Sequence, residues 1–116
     1  MMMGMMMSTT STNTAANTNT STLSSIARVP TDKAARYMGQ LCKHFAHRIP
    51  ASFDADSGRI EFSIGICELA VAKDALVLHV SAANEEELGE MEDVVARHLV
   101  RFGFRDELVV KWQRGA

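Results

Sequence analysis

The sequence predicts an α+β fold, a two-layer sandwich with two helices packed on one face of a mainly antiparallel sheet, in the order β-α-β-β-β-β-α-β. Three observations lead there. Two stretches, residues 34–49 and 88–102, repeat apolar residues at helical spacing. The segments before, between and after them alternate apolar and polar residues, as half-buried strands do. Each helical stripe is one-sided, so both helices need an apolar surface to cover, and a sheet with one apolar face supplies it.

Ser24–Val29 alternates weakly and forms the first strand, which Pro30 ends. Thr31 or Asp32 then supplies an oxygen to cap the first helix. Ala34, Met38, Leu41, Phe45 and Ile49 form its apolar stripe, with Cys42 at the margin, and Pro50 stops it. Lys33, Arg36, Gln40, His44 and His47 fall on the opposite side, which makes the outer face basic. Phe53 leads into a turn at Asp54–Gly58 with Asp, Ser and Gly in it. Ile60, Phe62 and Ile64 alternate with Arg59, Glu61 and Ser63, and Gly65 marks a turn or bulge that needs a positive φ. Cys67, Leu69 and Val71 follow, then a turn at Lys73-Asp74, then Leu76, Leu78 and Val80 facing opposite to Val77 and His79.

Asn84 with Glu87 three positions on resembles a capping box and opens the second helix. Glu85, Glu86, Glu87 and Glu90 lie at its positive end, and Arg97, His98 and Arg101 at its negative end, which favours the helix. Leu88, Met91, Val95, Leu99 and Phe102 form its buried stripe, and Gly103 ends it. Leu108, Val110 and Trp112 alternate with Val109 and Lys111 as a last strand.

The 116 residues suit one domain, and every charged residue lies at or after Arg28. Residues 1–23 therefore read as a disordered low-complexity tail and 24–116 as a single domain. The tail opens with a methionine cluster, a soft-ligand pattern that can bind Cu(I), although no Cys or His accompanies it. The net charge of −2 gives no global basic excess for a phosphate backbone, so nucleic-acid binding is not favoured. No apolar run approaches the roughly 20 residues of a membrane span. Two cysteines without an export signal read as reduced thiols in a cytoplasmic protein.

The densest chemistry is Cys42-Lys43-His44-Phe45-Ala46-His47, which holds one of two cysteines and two of four histidines. His44 and His47, three apart, can share a helix face and contribute to a metal site, with Cys42, Cys67, Glu68, His79 and His98 as the pool of further ligands. Cys42 points away from His47, so the two do not readily share an ion. Both cysteines lie on or near core faces, which suits small buried thiols. His98 lies beside the Met91–Val94 edge of its helix, where it bonds a backbone carbonyl or completes a site with the first helix. Glu92-Asp93 and Asp106-Glu107 read as solvated carboxylates, and neither a phosphate loop nor a Gly-x-Ser-x-Gly elbow is present. No metal or cofactor motif is complete.

The segments Arg36–His47, Gly58–Phe62, Gly65–Leu69, Val94–Leu99 and Phe102–Arg105, with Trp112, resemble the bacterial domain-of-unknown-function family 2218 across about residues 25–113. The resemblance implies no established activity. It implies a setting, because similar domains are associated with siderophore utilisation and some are joined to siderophore-interacting flavoproteins. The resulting expectation is a binding or accessory domain rather than an enzyme. Arg36, Lys43, His44, His47, Arg48 and His98 would receive a ferric siderophore or a flavoprotein partner on a basic, His-bearing helix. The alternatives are a metal- or thiol-dependent enzyme using the Cys42–His47 region, and a homo-oligomeric structural module.

Overall fold

A computed structural model describes residues 22–115. The expected disordered tail, apart from its last two residues, and the methionine cluster lie outside the described residues. The elements are β1 (Leu23–Pro30), α1 (Ala34–Ala46), β2 (Ala51–Phe53), β3 (Ser57–Phe62), β4 (Gly65–Ala72), β5 (Ala75–Ala82), α2 (Glu85–Phe102), a short 3-10 turn (Phe104–Asp106) and β6 (Gln113–Arg114). The strands form one sheet in the order β2-β3-β4-β5-β1-β6, antiparallel throughout. This is the two-layer α+β arrangement that the sequence predicts, with α1 over β2–β5 and α2 over β4, β5 and β1.

The core lies between the layers. Met38 and Leu41 of α1 and Leu88, Met91, Val95 and Leu99 of α2 meet Val29, Ile60, Leu69, Leu76, Leu78 and Val80 of the sheet, all fully buried. The hairpin turns follow their local chemistry. Asp54 Oδ1 accepts from the Asp56 and Ser57 N–H groups at 2.8 and 2.9 Å, and Asp74 takes a left-handed φ of 59°. Asn84 caps α2, its Oδ1 accepting from the Glu87 N–H at 2.8 Å. No helix among the described residues is long and apolar enough to cross a membrane.

Four details differ from the sequence reading. Neither Thr31 nor Asp32 caps α1. Its N-cap is Lys33, which has no side-chain cap bond, and Thr31 Oγ1 accepts from the Lys33 N–H one step too early. The helix also ends at Ala46 rather than running on to Pro50. The Arg48 and Ile49 N–H groups both close back on the Phe45 carbonyl, and Ile49 reaches the core from outside the helix, as the residue before a proline tends to. Gly65 shows no positive φ; a Cβ there would stand 2.1 Å from the Ser81 carbonyl oxygen, so the strand needs glycine for closeness. The alternation at Leu108–Trp112 is a burial pattern without a ladder. Glu107, at φ 51°, turns the chain so that Val110 and Trp112 run beside Gly89, Glu92 and Ala96 of α2. Pairing with β1 begins only at Gln113, and Arg114 then binds Glu92 at 3.0 Å.

Candidate functional site

α1 carries Arg36, Lys43 and His44, its C-cap is His47, and Arg48 follows. All five are exposed, in keeping with the basic outer face read from the sequence. Arg36 and His44 are eight residues apart, about 12 Å along a helix axis. They do not act on one small ligand, because α2 and the turn after it run antiparallel to α1 and divide the face in two. His44 meets His98 and Phe102, whereas Lys33 and Tyr37 meet Asp106.

At the first of these ends, two histidines come together across the helix pair. The His44 and His98 ring centroids are 5.0 Å apart with planes tilted by 45°. Phe45 lies 4.9 Å from His98 and 5.0 Å from Phe62, and Phe102 sits edge-on to His44 at 5.6 Å. These rings fix the histidines by packing. His98 Nδ1 lies 2.7 Å from the Val94 carbonyl one turn earlier, so that nitrogen carries the proton and donates. The backbone-carbonyl partner expected for His98 is thus present, together with the neighbouring first-helix histidine.

The electrostatics of this end have one sign. His44 is held below the ordinary histidine range, first by burial of its ring among these neighbours, then by the nearby basic side chains His98, His47, Arg101 and Arg48. Although the residue as a whole is exposed, the packed side of its ring is sheltered from water. Arg48 and Arg101 form no ion pair among the described residues. Arg101 is the member the sequence reading missed as a site residue. Spacing gives it only as a favourable charge at the end of α2, and the packing of the helices brings it to act on His44 of α1.

The other ligands considered for a metal are scattered. Glu68 and His79 pair at 3.4 Å on the sheet face turned away from the helices, with Arg59 3.3 Å from Glu68. Cys42 and Cys67 are free and buried, and burial pushes both thiols up, away from the reactive thiolate. The Cys42 sulfur lies over Gly58, only 2.9 Å from where a Cβ would be, and so is turned into the sheet while His44 is turned to α2. Among the described residues no three His, Cys, Asp or Glu side chains assemble as a metal site.

Asp106 corrects another expectation. It is not a simple solvated carboxylate, because it accepts from the Tyr37 hydroxyl and from Lys33 Nζ at 3.1 Å. The Tyr37 and Lys33 hydrogen bonds hold it below the usual carboxylate range. Arg36 lies at this second end, bordering a cavity with Lys33, Tyr37 and Arg105.

A family model described as "Uncharacterized protein conserved in bacteria (DUF2218)" matches residues 26–113. The chain is also similar to the NMR structure of PA4090 from Pseudomonas aeruginosa, at 34% sequence identity and a TM-score of 0.63. That match covers 79% of this chain and 94% of the other. No curated protein matches the sequence.

Proposed function

The chain belongs to the DUF2218 family of bacterial proteins, and we propose that it is a binding domain that docks an acidic protein surface through the joint of α1 and α2. The single observation that carries this reading is the cluster around His44. Histidines and arginines from two helices converge there, and no carboxylate is among the charges that act on it. Lys43, Arg48 and Arg101 put positive charge on this exposed surface, and such charge attracts a complementary partner and sets its orientation. Lys43, His44, His47, Arg48, His98 and Arg101 form this surface. All but the half-buried His98 are exposed, which suits a broad partner better than an enclosed small molecule such as a ferric siderophore.

The setting proposed with it is iron–siderophore metabolism in the bacterial cytoplasm, and the partner class proposed is a siderophore-interacting flavoprotein, both taken from what the family resemblance implies. The domain would act there as an accessory module and not as the catalyst. The test is the affinity for such a flavoprotein from the same bacterium, followed by calorimetry against salt and pH. Raising the ionic strength from 0.01 to 0.1 M shortens the screening length from about 30 to about 10 Å, and the affinity should fall by about tenfold. An acidic partner stabilises the protonated form of His44, whose pKa in the free protein is held below the ordinary histidine range. Docking therefore takes up a proton, and affinity rises as the pH falls towards that lowered pKa. Binding that is indifferent to both salt and pH contradicts the reading.

A further inference from the structure

The second end of the α1 face has a different shape and chemistry. Lys33, Arg36, Tyr37, Phe104, Arg105 and Asp106 line an open cavity of about 340 Å³, near the lower end of the size range of small-molecule sites. Three cationic side chains face one carboxylate there. That carboxylate is engaged, since both oxygens of Asp106 lie within 3.2 Å of Lys33 Nζ and one also accepts from Tyr37. Arg36 and Arg105 have no ion pair among the described residues.

Two guanidiniums without a contacting carboxylate among the described residues, beside an Asp106 that Lys33 and Tyr37 already engage, are suited to receive an anion with planar, two-oxygen geometry. The aromatic groups narrow the choice. Phe104 is 66% exposed, the most open of the large apolar side chains among the described residues, and the Arg105 guanidinium carbon sits 5.6 Å from its ring centroid. A ligand ring laid against Phe104 covers apolar surface and keeps its charged end beside the arginines. Gly103 permits the arrangement, because a Cβ there would come within 3.1 Å of Tyr37 Cζ and 2.5 Å of Leu108 Cδ1.

We propose that this cavity binds a small aromatic carboxylate, its carboxylate held by Arg36 and Arg105 and its ring resting on Phe104. An inorganic phosphate satisfies the arginines and leaves Phe104 uncovered; a large multi-ring ligand exceeds the space. The cavity adjoins the protein-docking surface around His44 through Phe102, but Arg36, Phe104 and Arg105 take no part in that surface, so either proposal can fail alone.

The experiment is a titration of the isotope-labelled full chain by NMR with benzoate, benzyl alcohol and inorganic phosphate as probes. Benzoate should give saturable shifts centred on Arg36, Tyr37 and Gly103–Asp106, and bind more tightly than either other probe. Arg36→Gln should weaken benzoate by about tenfold, the worth of a lost charge-assisted hydrogen bond. Phe104→Ala should bring benzoate down towards phosphate. Both positions are exposed, and a dispersed spectrum confirms that each variant is folded. The proposal is overturned if phosphate or benzyl alcohol binds as well as benzoate, if Arg36→Gln changes nothing, or if benzoate shifts only the His44–His98 end.

Discussion

Replacing Gly65 by alanine is expected to lower the stability of the domain by about 3 kcal/mol or more, enough to leave a large unfolded fraction in a protein of ordinary stability. The reason is a backbone contact. A methyl group at Gly65 would stand 2.1 Å from the Ser81 carbonyl oxygen, and neither atom is the free end of a flexible side chain. Relief requires β4 and β5 to part where Gly65 pairs with Ala82, beside Met91 of the core. Gly89→Ala is the control. That glycine lies within α2, and a Cβ there meets only the Arg114 guanidinium, at 3.5 Å. Helix propensity then predicts a gain of up to about 1 kcal/mol. Urea denaturation of both variants checks the pair, and a Gly65→Ala protein as stable as the parent would show that the strands do not approach so closely.

The joint reversal Arg48→Glu and Arg101→Glu is expected to weaken flavoprotein docking by about 100-fold at low salt, roughly 3 kcal/mol, because two attractions become repulsions. Both side chains lie on the surface and lack an ion pair among the described residues, so the fold should lose little. The reversed charges also act on His44. Arg48 and Arg101 now help to hold its pKa down, and carboxylates in their place would raise it. A higher His44 pKa, followed by imidazole NMR, therefore accompanies weaker docking. Unchanged affinity with a raised pKa would separate the electrostatics of the site from its role.

Much of the architecture was legible because it rests on periodicity. The stripe from Ala34 to Phe45, the stripe from Leu88 to Phe102 and the alternation through Ile60, Cys67 and Leu78 each report burial, and burial is what folding selects. Leu108–Trp112 shows the limit of that signal. Alternating burial there comes from packing beside α2, and no pattern of side chains distinguishes it from strand pairing. Gly65 was legible as special but for the wrong cause, since a close approach depends on a strand that is distant in sequence.

The same distinction governs the site. Arg36, His44 and His47 were recognisable as one basic outer face from spacing alone, with Lys43 and Arg48 adding charge to the same segment. What spacing could not give was the partner helix. Only antiparallel packing of α2 against α1 places His98 and Arg101 beside His44, and Asp106 beside Tyr37 and Lys33. That packing splits Arg36 from the histidines with which the sequence grouped it.

The central claim, that the joint of α1 and α2 is the docking surface, is tested most directly by NMR footprinting of the labelled chain with unlabelled siderophore-interacting flavoprotein. The predicted result is selective broadening at Lys43–Arg48 and His98–Arg101. Broadening confined to Arg59, Glu68 and His79 on the open sheet face, or no broadening at concentrations that saturate the partner, would contradict it.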